Sequence, residues 1–158
     1  MPEGEDMTQE VPFSQGPYLA AAFLCETVLQ ENDGRHSIIR IIDRINRQAI
    51  GTAPPEEMEP FDYSLDLYLS FKAGSARGPM MLRVRLEKPN GESGEVFARE
   101  LYFEGDDERG INHTAHLRLG IGIAGLHWFD VYLADQRMTR IPLRVAYSRE
   151  IRPPTKQV

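Results

Sequence analysis

Cysteine is almost missing from this chain: Cys25 stands alone among 158 residues, so no internal disulfide can form. Lysine is nearly as scarce, with Lys72, Lys88 and Lys156 the only three among 18 basic residues. No apolar run reaches the ~18 residues of a membrane-spanning helix; Leu19 to Leu24 is too short, and Glu26 follows. The start, Met1-Pro2-Glu3-Gly4-Glu5-Asp6, is acidic and has no basic region of the kind that opens a secretory signal. With one cysteine and no export signal, the expected compartment is cytoplasmic. No Gly-x-Ser-x-Gly elbow, Walker loop or dinucleotide fingerprint occurs, and Gly120-x-Gly122 lacks the context such motifs need.

What is present is ordinary for a globular chain. Hydrophobic residues make up 41% and charged residues 27%, which excludes a collagen-like or wholly disordered protein. The length suits one domain with its own core. The net charge of -6 is uneven: residues 1–16 hold Glu3, Glu5, Asp6 and Glu10 and no base. Without them 20 acids face 18 bases, so generic nucleic-acid binding by bulk charge is not expected. Residues 1–16 read as a disordered acidic leader, 17–150 as the folded domain and 151–158 as a flexible tail.

The body reads as strands. Tyr63, Leu65, Leu67, Leu69 and Phe71 alternate with Asp62, Ser64, Asp66 and Ser70, the period of a half-buried strand. Similar alternation runs through Leu82–Leu86, His113–Leu119, Phe129–Leu133 and Ile141–Tyr147. A phase change between Val96 and Leu101 suggests a bulge near Arg99. Segment 18–30 is read as strand, with helix the competing reading from Ala20-Ala21-Ala22. The β-branched run Ser37 to Ile45 argues for strand, and both segments are apolar enough to be central. Pro142 places its strand at an edge or kinks it. Turn signals at Asn32-Asp33-Gly34, Pro89-Asn90-Gly91, Gly105–Gly110, Gly120–Gly125 and Ala134-Asp135-Gln136 separate the runs. The expectation is a single antiparallel β-sandwich of about eight strands, immunoglobulin-like or C2-like.

If each strand crosses the sandwich once, the turns at 31–34, 73–79, 104–110 and 134–138 share one acidic end. Asp33, Asp106, Asp107 and Asp135 are then the candidates for a C2-like calcium or lipid-head-group site. Arg35, Arg77, Arg109 and Arg137 in the same loops oppose it. His113 and His116 fall on opposite faces of a strand and cannot chelate together. Cys25 lies in an apolar strand and reads as an inert buried thiol. A hydrolase using Cys25 or a histidine is the third, weakest reading. Trp128 has the parity opposite to Phe129, and is expected to turn inward through a bulge. Arginines and tyrosines that alternate with core residues give the strongest functional hint. Arg83, Arg85, Arg118, Tyr68, Tyr132 and Arg144 would lie on outward faces, where Arg and Tyr favour protein contacts. The expected role is a non-enzymatic interaction module, needing no cofactor, that docks a protein partner or forms a homodimer through that face or an open strand edge.

Several stretches carry a resemblance: Phe23-Leu24-Cys25-Glu26, Glu31-x-Asp33-Gly34, Ser37–Arg44, Phe71-Lys72-Ala73-Gly74, Gly125–Val131 and Thr139–Val145. Together they resemble a bacterial family of short β-sandwich proteins classed as a domain of unknown function, over about 18–147. The resemblance implies a small bacterial β-protein and brings no catalytic residues. The acidic leader departs from it, as does His127, where an aromatic such as Tyr is expected.

Overall fold

The computed structural model describes residues 15–156. They form nine strands and no helix: β1 (Tyr18–Gln30), β2 (His36–Ile41), β3 (Arg44–Gly51), β4 (Phe61–Lys72), β5 (Arg77–Glu87), β6 (Ser93–Glu104), β7 (Gly110–Ile121), β8 (Gly125–Leu133) and β9 (Gln136–Ile151). Two sheets result, one ordered β2-β1-β4-β7 and the other β3-β9-β8-β5-β6. The five-stranded sheet curls into half a barrel. Residues 18–30 are strand throughout, paired with β4 over their first part and with β2 over their second.

The alternating leucines meet as expected. Leu65, Leu67, Leu69 and Phe71 of β4 join Leu82 and Val84 of β5, Phe129 and Val131 of β8, and Leu143 and Val145 of β9 in one core. Phe71 and Phe103 stand edge to face across it, 6.2 Å between centroids, and tie one sheet to the other. Burying these chains supplies the main drive to fold.

Five expectations need correction. The run 36–47 is two strands, so there are nine where about eight were expected. The chain turns at Ile42-Asp43, where Ile42 N donates to Leu24 O and Arg144 N donates to Asp43 O. It therefore passes from one sheet to the other, and β2 and β3 become edges instead of central strands. β3 then runs parallel to β9, Arg44 beside Arg144 through Gly51 beside Ile151, so the architecture is not purely antiparallel. The intervening chain, from Gly51 to the start of β9 at Gln136, is long enough for a parallel pairing. The bulge in β6 lies at Val96, between the Val84–Phe97 and Arg85–Glu95 pairs, and not near Arg99. Trp128 does not turn inward: it stays opposite Pro142 and Glu87, under the Arg140 guanidinium 4.7 Å from its ring centroid, while His127 takes the buried position.

Pro142 is accommodated because β3 first pairs at Arg144, leaving β9 without a neighbour on that side at 142. The proposed leader lies outside the described residues except for Gln15 and Gly16. Of the proposed tail, Ile151 still belongs to β9, and Arg152 N donates to Gly51 O.

Candidate interaction surface

Residues whose parity opposes the core line the outer face of the five-stranded sheet. Register sets them in rows: Pro79 beside Tyr102, Met81 beside Glu100, Arg83 between Ala98 and Tyr132, and Arg85 between Glu95 and Asp130. β9 adds Arg140 opposite Asp130 and Arg144 opposite Leu126. Arg83, Arg85, Tyr132 and Arg144 thus share one face. Arg118 and Tyr68 do not; they belong to β7 and β4 in the other sheet.

The arginines of this face sort by partner. Arg83 is 2.9 Å from the Glu95 carboxylate. Arg140 donates to Asp130 at 2.9 Å and also to Glu87, while Arg137 lies 3.7 Å from Asp130. These bonds give the Asp130 side chain, only 7% exposed, the partners that a buried polar group needs. Arg85 reaches Ser93. Arg44 and Arg144 are in no ion pair among the described residues; Arg44 donates to Asn46 instead. The aromatic and apolar share of the face is open to solvent, Tyr102 at 67% and Met81 at 37%. Tyr102 faces outward because Leu101 and Phe103 on either side of it are buried, but the bulge position that sets its row is not readable without the partner strand.

Outer-facing residues of the four-stranded sheet are partly covered. Beyond Cys25 the strand leaves β4, and the hairpin of β1 and β2 comes to rest on outward side chains. Val28 N donates to Asp66 at 2.9 Å, and the His36 ring stands 5.7 Å from Tyr68. Tyr68, expected outward and free, is only 8% exposed, and burial raises its phenol pKa. Asp66 also bonds His116 Nδ1 at 2.6 Å, and Cys25 Sγ donates to the Asp66 carbonyl at 3.6 Å. Cys25 is fully buried, and burial with the Asp66 charge beside it raises its thiol pKa, which suits an unreactive group. Arg118 pairs with Asp62 at 3.0 Å. The free edge of β2 exposes Ile39 at 38% and Ile41 at 63%.

The four acidic candidates are not brought together. Asp33 caps its own turn, accepting from Arg35 N, at the tip of the β1–β2 hairpin. Asp106 accepts from Glu108 N and lies beside Arg109, which also pairs with Glu104. Asp135 occupies the turn between β8 and β9 with φ 65°. Among the described residues no three His, Cys, Asp or Glu side chains gather as a metal site. The single-crossing argument fails because β2 and β3 together do not make one full traverse. His113 and His116 do take opposite faces: His113 stacks on Phe97 at 5.5 Å while His116 bonds Asp66.

These features define an all-β, two-sheet module with one open Arg- and Tyr-bearing face. Residues 20–146 match the Family of unknown function (DUF6941), and the chain belongs to that family. The stretches that carried the sequence resemblance fall in the same region. No curated protein matches the chain. Among solved structures, it is similar to the alkylpurine DNA glycosylase AlkC of Pseudomonas fluorescens bound to DNA containing an abasic site analogue, at 13% identity and a TM-score of 0.35. That match covers 66% of this chain and 27% of the glycosylase. It is also similar to an immunoglobulin-like protein from Pseudomonas aeruginosa, at 10% identity and a TM-score of 0.30, over 80% of this chain and 98% of that one. Both scores are too low to carry an argument about architecture or activity.

Proposed function

We propose that this protein is a non-enzymatic interaction module that docks a protein partner, or a second copy of itself, through the outer face of its five-stranded sheet. The reading rests on one observation: Tyr102 and Met81 are exposed at 67% and 37% on neighbouring strands, Met81 in the row next to Arg83 and Tyr132 and Tyr102 in the row beyond it. Tyr, Met and Arg are the residues enriched in protein interfaces, and Tyr and Arg are enriched where binding energy concentrates. In this reading the sheets act as the two layers of an immunoglobulin-like sandwich. The protein works in the bacterial cytoplasm and needs no cofactor. Among the described residues no helix is long and apolar enough to cross a membrane.

The test is a photo-crosslinking side chain placed at Tyr102 in the native host, with a control at Arg118 on the other sheet. Adducts of defined mass at 102 and none at 118 are expected, and Met81→Glu should reduce them about tenfold or more. Absence of adducts at 102, or equal adducts at both positions, would overturn the reading.

A further inference from the structure

Arg44 and Arg144 lie directly beside each other on the parallel strands β3 and β9. Their neighbours Ile45 and Val145 are buried in the core, so by strand alternation both arginines project to the outer face. Adjacent strands are ~4.8 Å apart, which puts two cationic side chains within reach of the same atom. Like charges set opposite each other destabilise a sheet. Elsewhere on this face three arginines meet carboxylates, Arg83 with Glu95, Arg140 with Asp130 and Glu87, and Arg137 with Asp130, while Arg85 bonds Ser93. Arg44 and Arg144 meet no carboxylate among the described residues. Asp43, the nearest acid in sequence, receives Arg144 N through its main-chain carbonyl. A local rule broken without internal compensation is the kind of departure that marks a functional site.

We infer that Arg44 and Arg144 form a two-pronged oxyanion site, filled in the docked complex by a glutamate or aspartate side chain of the partner. The inference rests on the docking reading above and names the chemistry that face recognises. Guanidinium groups bind carboxylate through paired, charge-assisted hydrogen bonds, and two of them can hold both oxygens of one group. A carboxylate between them turns a repulsive pair into two attractive contacts. Leu126 beside Arg144, and Trp128 beside Pro142 in the next row, supply apolar surface for the rest of an acidic peptide.

The test is the melting temperature of the full chain at fixed ionic strength, with hexaglutamate peptide as the probe and inorganic phosphate as the comparison. At about tenfold excess over its Kd, the peptide should raise the wild-type value by roughly 3 °C. Arg44→Gln and Arg144→Gln should lose that rise, while Arg83→Gln keeps it. The salt dependence of each Gln variant without probe should also be flatter than the wild type's, because one repelling charge is gone. No rise with either anion, or a rise retained in both Gln variants, overturns the site. A rise with phosphate alone overturns the carboxylate assignment. This readout needs no protein partner, so failure here with adducts still forming at Tyr102 removes the anion site and spares the docking face.

Discussion

Asp66 shows how a single buried carboxylate can hold three elements. It belongs to β4, accepts from Val28 N of β1, and bonds His116 of β7, with only 7% of the residue exposed. Replacing it by Ala leaves the half-buried Val28 N–H without its acceptor and frees the hairpin. Asp66→Ala should cost about 3 kcal/mol in urea unfolding, whereas Leu29→Ala at the exposed hairpin surface should change little. A loss below about 0.5 kcal/mol would show that the hairpin does not depend on this bond.

Two histidines give the protein a pH dependence of known sign. Burial lowers the His113 pKa, helped by the Arg99 and His116 charges; burial also lowers that of His127, helped by Lys88 and opposed by the bond to Gly125 O. His113 Nε2 is buried without a hydrogen-bond partner among the described residues. In the folded state both rings take up their protons at a lower pH than in the unfolded chain, which titrates near 6.5. Stability is therefore full above that value and falls as pH drops below it, by at most about 1.4 kcal/mol per pH unit for each ring. Denaturant midpoints at pH 7.5 and 5.5 should show the loss, and His113→Leu should reduce it. An unchanged slope in that variant would remove His113 as a source.

Among the strands, β4 and β7 form the longest ladder, twelve residue pairs from Phe61–Ile121 to Lys72–Gly110. Its last rung requires a glycine, since a Cβ on Gly110 would sit 2.0 Å from the Phe71 carbonyl oxygen. Main chain cannot yield as a flexible side-chain tip can. Gly110→Ala should destabilise by roughly 2 kcal/mol or more. Gly122→Ala, where a Cβ meets nothing within 4 Å, should be close to neutral. Equal effects of the two would remove the close-approach explanation. The edges differ in protection. β6 carries a bulge at Val96 and the charges Glu95, Arg99 and Glu100, whereas β2 offers Ile39 and Ile41 to solvent.

For the molecule as a whole, the Phe71–Phe103 contact joins the two sheets. Each Phe→Ala change should cost about 3–5 kcal/mol. The double variant should fall short of the sum by about 0.5–1.5 kcal/mol. Strict additivity would mean that the sheets do not share a core through these rings.

Strand alternation is a local property, so the faces of β4, β5, β7, β8 and β9 were legible from residues a few positions apart. Leu65 to Phe71, Leu82 to Leu86 and the placement of His113 and His116 on opposite faces follow from that period alone. The family was legible too, through turn glycines and core strand residues. Which strands become neighbours is not local. Ile42-Asp43 looks like the middle of one β-branched strand, and only pairing with Leu24 on one side and Arg144 on the other makes it a corner. The pairing of β4 with β7, apart from β5 and β9, separated Tyr68 and Arg118 from Arg83 and Arg144; the β1–β2 hairpin buried Tyr68, and the corner at Ile42-Asp43 set Arg44 beside Arg144. Those contacts arise between residues tens of positions apart, where no short-range pattern in the chain can choose among the possible partners.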